Sequence, residues 1–278
     1  MIEINELTFS YPSHSGTEIP VINKLNLFIP RGRYVSLMGP NGSGKTTLGK
    51  LIKGLISPQE GSIRIAGELL HPGEISPRVG YIFSNPENQI VCAVVEEDVA
   101  FGLENMGLDR ETIAERVERG LALVGMQDYR CAAPHHLSGG QQQKVVLAGT
   151  LAMDCEILIL DEPTSMLDLR DQEEILNLLA QIHGQEKKTI LHITHSFSAA
   201  LRAQDFIYLE KGQVLFYGSW EEFWHKAFVS NSLKLTYPPL WELLRKLGAE
   251  GWAIPSCLHS PAEAKKYLIE VFSRSPAD

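Results

Sequence analysis

Gly39-Pro40-Asn41-Gly42-Ser43-Gly44-Lys45-Thr46 decides the fold of this chain. It fits the pattern of two glycines separated by four residues and followed by Lys and then Ser or Thr. The glycines let successive backbone N–H groups converge on phosphate oxygens. Lys45 supplies a fixed positive charge for a β- and γ-phosphate, and Thr46 offers a hydroxyl to Mg²⁺. Thr47 completes the contacts at the helix start. An apolar strand, Tyr34 to Met38, precedes the loop, and a helix, Lys45 to Leu55, follows it. That context places the phosphates at a helix N-terminus. A Gly-rich turn matching by chance would need neither flank.

Outward from the loop, the pattern of an α/β core emerges. Ile2 to Tyr11 and Val21 to Ile29 alternate apolar and polar residues and read as strands, as do the short runs Ile63 to Ala66 and Val79 to Phe83. Val95 to Asn105 and Asp109 to Val124 turn to helical periodicity, with Asp109 as N-cap and Gly125 as stop. A further helix is expected over Gly139 to Met153. Ile157-Leu158-Ile159-Leu160 is a continuous apolar run, which suits a parallel strand covered on both faces. Leu167 to Gln185 reads as helix, Thr189 to Thr194 as another buried strand, and Phe197 to Ala203 as a short helix. Phe206 to Leu209 and Gln213 to Tyr217 form a hairpin around Glu210-Lys211-Gly212.

After about Ser219 a helical tail is expected. Pro238-Pro239 opens a helix whose Leu240, Leu243, Leu244 and Leu247 share a face. Ser260-Pro261-Ala262-Glu263 is a capping box leading into a stripe of Ala264, Tyr267, Leu268 and Val271. So short a tail cannot bury two stripes on itself, so docking on the main domain or on a partner is expected.

Bulk composition restricts the function. The 278 residues allow one large domain, or one domain with an appendage. No apolar run approaches the roughly 18–20 residues that cross a bilayer, so membrane association is expected only through a partner. Lys+Arg 25 against Asp+Glu 34 gives −9, which disfavours nucleic acid as a partner. Cys92, Cys131, Cys155 and Cys257 lack paired spacing and read as buried thiols in a reducing compartment. His135-His136 reads as a solvated loop.

The chemistry gathers at strand ends. Asp161 and Glu162 follow the apolar run directly, where ligands sit in open α/β sheets. Asp161 is placed to hold the Mg²⁺ shell, and Glu162 to accept a proton from an attacking water. His195 ends the next buried strand, within reach of a γ-phosphate. His192, mid-strand, reads as a satisfied internal histidine. Leu137-Ser138-Gly139-Gly140-Gln141 contains a second capping box, Ser138 with Gln141. Its two glycines exceed what a cap needs and would let N–H groups approach an anion. Since the chain already holds one phosphate cradle, this helix start makes sense as a cap on the γ-phosphate bound by a second subunit.

With these motifs together, the chain resembles the ATPase subunits of ABC transporters over roughly residues 1–220. Leu137 to Gln141 matches the family's signature sequence, Asp168 its D-loop, and Thr194-His195 its switch histidine. Tyr11 matches the aromatic residue that stacks on adenine. The resemblance implies a P-loop NTPase (RecA-like) core with an antiparallel β flank and an inserted helical subdomain over about 90–153. Asn85-Pro86-Glu87-Asn88-Gln89 and Val95 to Asn105 are similar to the energy-coupling-factor group, and 221–278 to its C-terminal helical extension, a dimer or docking element. That narrower resemblance implies ATP and Mg²⁺ as cofactors and a second ATPase subunit, the same or homologous. It also implies a transmembrane T component, a substrate-binding S component, and a peripheral place on the cytoplasmic face of a prokaryotic cell membrane. The implied cargo is a vitamin or a transition metal ion taken up by the cell.

Two positions depart from the pattern. Ser84 stands where the family's Q-loop glutamine follows Phe83; its side chain is shorter and offers no amide, so it would reach Mg²⁺ or the attacking water only through solvent. Lys144 replaces an Arg after the signature, a point charge in place of a planar fork. Two alternatives remain open on sequence: a largely non-hydrolysing partner in a heterodimer, suggested by Ser84, and a non-transport ABC ATPase. One phosphate loop, no heptads and the acidic balance disfavour the second. The acidic stretch Glu96-Glu97-Asp98 is a candidate for receiving Arg side chains from a transmembrane partner.

Overall fold

The computed structural model describes residues 1–12, 18–228, 232–233, 235–255, 258 and 260–273. Three central strands, β3 (Tyr34–Met38), β7 (Ile157–Asp161) and β8 (Thr189–Ile193), are each buried along their whole length. They are flanked by β6 (Val79–Ile82), β9 (Asp205–Glu210) and β10 (Gln213–Ser219). The sheet order is β10-β9-β3-β8-β7-β6. Every neighbouring pair is parallel except the β9–β10 hairpin. The carboxyl ends of β3, β8, β7 and β6 therefore lie along one edge, where the functional loops emerge.

A second, antiparallel sheet has the order β2-β1-β4-β5. It comprises β1 (Ile2–Pro12), β2 (Glu18–Ile29), β4 (Glu60–Ile65) and β5 (Glu68–Leu69), the last too short to leave a periodic signal. The helix after the phosphate loop, α1 (Lys45–Lys53), ends at Gly54, whose φ of 87° stops it short of Leu55. Leu48, Leu51 and Ile52 of α1 join one apolar cluster with Ile2, Ile4 and Ile63 of this sheet and Val35, Leu37 and Ile159 of the other. Burial of that kind, worth roughly 1.5–3 kcal/mol per large side chain, fixes the loop against both sheets.

The other face of the parallel sheet carries α2 (Val95–Asn105), α3 (Arg110–Val124) and α4 (Gly139–Ala152). Val99, Leu121 and Leu147 from these helices share a core with Leu158, Leu160 and Ile190. Asp109 caps α3 through the N–H groups of Glu111 and Thr112, and Gly125, with φ 69°, ends it. Next, α5 (Leu169–Glu186) begins later than its apolar periodicity implies, because the Asp168 carboxylate accepts the Asp171 N–H and makes Asp168 the cap. A shorter helix, α6 (Phe197–Ala200), is capped by Ser196.

The tail contains α7 (Trp220–Phe223), a π-helical turn over Trp224–Phe228, α8 (Pro239–Ala249) and α9 (Pro261–Ser273). Phe197, Phe206 and Tyr208 of the main domain and Met38, the last residue of β3, form one cluster with Trp220, Phe223, Trp241 and Leu268. Leu244, Ala264 and Leu268 of the tail stripes are thus buried on the chain itself, and position 220 falls inside a continuous aromatic core. Two sequence expectations are corrected. On α8 the buried face is Trp241 and Leu244, while Leu243 is 43% exposed; a stripe counted from leucines alone misses the tryptophan. Cys131 is exposed rather than buried, Cys155 is buried, and Cys257 lies outside the described residues.

Candidate functional site

The phosphate loop is held by its neighbours. A Cβ at Gly39 would lie 2.0 Å from the Leu209 carbonyl oxygen, and one at Gly44 2.8 Å from Ile22 Cδ1. Only glycine permits such approach. The Gly212 N–H donates to the Ser43 carbonyl at 3.0 Å, so the β9–β10 turn buttresses the loop from outside. Pro40, Asn41 and Gly42 form its crest, half-buried or exposed. Gly44 enters α1 with φ 104° and no side-chain cap. Among the described residues the N–H groups of the first helical turn, at Lys45, Thr46 and Thr47, therefore have no side-chain capping acceptor. Ser43 Oγ is buried and has no hydrogen-bond partner among the described residues.

Lys45 Nζ donates to the carbonyls of Gly39 at 2.9 Å and Pro40 at 3.0 Å, curling over the loop. Burial pushes its ammonium below the ordinary value, and the charges of Glu162 and Asp161 oppose that. Thr46 Oγ1 donates to Asp161 Oδ1 at 3.0 Å, which joins the start of α1 to the end of β7. Tyr11 packs edge-on to Phe9, and its hydroxyl lies 3.4 Å from Thr47 Oγ1 with the ring partly exposed.

Glu162 has φ 53°, a left-handed conformation costly to a residue with a side chain. Hydrogen bonds on both its N–H and carbonyl sides hold it there. Its N–H donates to the Ile193 carbonyl at 2.9 Å, and its own carbonyl accepts from the Ser165 hydroxyl at 3.0 Å. The carboxylate is thereby turned to the end of β8, where His195 Nε2 lies 2.9 Å from Glu162 Oε1. The structure thus brings Lys45, Thr46, Asp161, Glu162 and His195 to one place.

The signature segment stands apart: among the described residues, no hydrogen bond or ion pair links Leu137 to Gln141 with the phosphate loop. Leu137 is buried, and the reciprocal capping box of Ser138 and Gln141 is formed. Gly140 has a local reason for lacking a side chain, since a Cβ there would meet Asp171 Oδ2 at 2.2 Å. Gly139 has none of that kind, its nearest neighbour being Leu167 Cδ2 at 3.5 Å. Asp168 is exposed beside Met166 and Leu169, themselves 70% and 82% exposed.

Beyond β6, Ser84 is half-buried, and Gln89 does not reach toward the loop in its stead. The Gln89 amide is committed twice, accepting the Phe83 N–H at 3.1 Å and donating to the Tyr81 carbonyl at 3.1 Å. Lys144 Nζ pairs with Glu174 at 2.8 Å. The acidic stretch is largely used within the chain: Glu96 pairs with Arg130, and Asp98 accepts the N–H groups of Val91 and Cys92. His135 and His136 are exposed and belong to no metal-binding group among the described residues. His192 is only half satisfied: Nδ1 lies 3.2 Å from the Tyr34 hydroxyl, but Nε2 is buried and has no partner among the described residues.

One residue of the site escapes the motif reading. The Tyr81 hydroxyl donates to Asp161 Oδ2 at 2.8 Å. Burial raises that phenol far above its ordinary value, so it stays a donor. The only signal in the sequence is a polar-tipped aromatic near the end of an apolar strand.

The family model described as ABC transporter matches residues 22–165. The energy-coupling factor transporter ATP-binding protein EcfA1 of Caldanaerobacter subterraneus subsp. tengcongensis is 36% identical over 272 residues, covering 96% of this chain and 98% of the relative. That of Streptococcus pyogenes is 37% identical over 277 residues, covering 99% of each. Among solved structures, a dimeric ATP-binding cassette in a post-hydrolysis state with ADP and Pi superposes with TM-score 0.71 at 30% identity, covering 79% of this chain and 98% of that one. The structure of cbiO1 from Clostridium perfringens, described as part of the ABC transporter complex cbiONQ, gives TM-score 0.72 at 30% identity, covering 87% and 98%. With a formed phosphate loop and nearly full-length relatives, this chain belongs to the ABC transporter ATPase family, among the energy-coupling factor transporter ATP-binding proteins.

Proposed function

We propose that the chain works as one half of an ATP-driven clamp that energises an energy-coupling-factor transporter. The carrying observation is the meeting of Lys45, Thr46, Asp161, Glu162 and His195 at the ends of adjacent parallel strands, with no hydrogen bond or ion pair among the described residues joining the signature segment to the phosphate loop. Gly39 to Thr46 would cradle the phosphates of ATP, with Thr47 at the helix start and Tyr11 against the adenine. The uncapped N–H groups of α1 and the unpartnered Ser43 hydroxyl are the donors such a polyphosphate lacks in water-free surroundings.

Thr46 and Asp161 are hard oxygen donors side by side, which fits Mg²⁺. Bound there, Mg²⁺ would supply charge neutralisation at the β- and γ-phosphates. Glu162 takes the proton of the water that attacks the γ-phosphorus, while the bond to the β–γ bridging oxygen breaks and ADP leaves. His195 positions the water and the γ-phosphate. Leu137 to Gln141 of a second subunit, the same or homologous, caps that phosphate, and Asp168 lies at the seam. Hydrolysis removes the bridge, so the pair opens. T and S components convert the cycle into uptake of a vitamin or transition metal ion, with this chain on the cytoplasmic face and peripheral. Residues 1–220 would form the ATPase domain, 90–153 its inserted helical part and 221–278 the extension. No helix among the described residues is long and apolar enough to cross a membrane.

The test is assembly. Glu162→Gln chain saturated with Mg·ATP, with and without its T component, is expected to sediment as a dimer. Strictly monomeric material in both cases would overturn the clamp.

A further inference from the structure

Tyr81 is the one member of the site that the proposed mechanism does not use. It sits on β6, beside Ile159 of β7 in the parallel register, two positions short of the Asp161 level. Its ring is buried in the cluster that joins α1 to the sheets. A phenylalanine would fill that space equally well. Phe83, two residues on, packs against it with ring centroids 4.7 Å apart and carries no hydroxyl. A buried hydroxyl costs stability unless it is bonded, and among the described residues the partner of this one is Asp161 Oδ2 at 2.8 Å.

Two other features keep the phenol in place. Gly49 of α1 is helical, where propensity alone would favour alanine. A Cβ there, however, would press on Tyr81 Cε2 at 3.1 Å and Ile193 Cδ1 at 3.1 Å. The glycine makes room for the ring. On the other side, the Gln89 amide bonds the Tyr81 carbonyl and the Phe83 N–H, pinning the strand end that carries the ring.

The Asp161 carboxylate is consequently held at both oxygens, Oδ1 by Thr46 and Oδ2 by Tyr81. A hydroxyl bonded to a carboxylate oxygen fixes the plane of the group and leaves its other oxygen on the phosphate-loop side. We infer that Tyr81 is a positioning residue, which orients the Asp161 carboxylate toward the divalent cation that accompanies the nucleotide. The inference rests on the assignment of Asp161 to that cation.

The test uses the full-length chain with a non-hydrolysable ATP analogue and Mn²⁺ as the probe, free Mn²⁺ being read by electron paramagnetic resonance. For Tyr81→Phe the half-saturating Mn²⁺ concentration is expected to rise about 10-fold. Affinity for the analogue in EDTA should be unchanged, and turnover should recover as Mn²⁺ is raised. Asp161→Asn is the reference. If Asp161→Asn leaves the Mn²⁺ titration unaltered, the assignment of the carboxylate fails. If Asp161→Asn weakens Mn²⁺ binding and Tyr81→Phe does not, only the role of Tyr81 fails. Equal weakening of analogue binding with and without metal also overturns it, because the ring would then shape the loop rather than the carboxylate. Should Tyr81→Phe not fold, Tyr81→Met removes the hydroxyl with a more adaptable side chain and is held to the same outcomes.

Discussion

His195 Nε2 and Glu162 Oε1 lie 2.9 Å apart across the ends of β8 and β7, so the histidine after one strand and the carboxylate after the other form a single unit. The left-handed backbone of Glu162 aims the carboxylate there, and strain of that kind at a strand end is typical of groups held for chemistry. Glu162→Gln keeps the shape and the contact with His195 but loses the basic oxygen. We expect ATP binding to persist while turnover falls roughly 10²–10⁴-fold. Undiminished turnover in single-turnover kinetics would remove Glu162 as the base.

Among the described residues Lys45 Nζ hydrogen-bonds only to loop carbonyls, so its truncation is expected to leave the fold intact and to remove the cation that the proposed cradle offers to the phosphates. Lys45→Ala is expected to lose tight nucleotide binding while the thermal transition of the nucleotide-free chain stays close to that of the parent. Equilibrium dialysis with labelled ATP checks it; retention near the parental level would contradict the cradle.

His192 gives a pH dependence with a definite sign. Burial pushes its imidazole down to about 4, so the folded chain holds it neutral. In the unfolded chain it titrates near its ordinary value of about 6.5. Between these values the unfolded state binds more protons, so stability falls as pH drops below about 6.5 and stops falling near pH 4. The loss attributable to this residue is about 2 kcal/mol by pH 5. Urea titrations at several pH values should show a shallower acid limb in His192→Phe than in the parent. Parallel curves would place the acid sensitivity elsewhere.

The tail offers a stability test of a different kind. Trp241 is 1% exposed, stacks on Trp224 with centroids 5.4 Å apart and touches Phe197 of the main domain. Trp241→Ala is expected to cost about 3–5 kcal/mol. Because Met38 lies in the same cluster, the melting transition should remain single rather than split into domain and tail. Two resolved transitions by calorimetry would show that the extension folds on its own.

What the sequence made legible was local. The phosphate loop reads itself, because its glycines, Lys45 and Thr46 are consecutive. The caps at Asp109, Ser138 and Ser260 are legible because side chain and N–H groups lie within three residues. Asp161 and Glu162 follow from an apolar run that ends abruptly. What stayed hidden depends on partners far along the chain. Tyr81 gains its meaning only through the β6–β7 register, which sets it beside a strand numbered some eighty residues later. Trp241 is drawn inward by Phe197 and Trp224, which no heptad or helical count on α8 could supply. The fate of the acidic stretch is similar, since Arg130, which pairs with Glu96, comes after another helix.

Ser84 is where sequence and geometry leave a clear experimental question. A hydroxyl there is half-buried at the end of β6, and the one glutamine nearby is fully occupied with the backbone of Phe83 and Tyr81. Among the described residues no side-chain amide of this segment is hydrogen-bonded to Thr46 or Asp161. Ser84→Gln restores that reach without touching the phosphate grip, since Lys45, Thr46 and the loop glycines are contacted from elsewhere. ATP affinity should stay the same, and turnover of the assembled pair should rise several-fold, a barrier change of roughly 1 kcal/mol. Hydrolysis and transport both unchanged would make Ser84 a neutral variation. A gain in hydrolysis without transport would instead place coupling, rather than chemistry, at the end of β6.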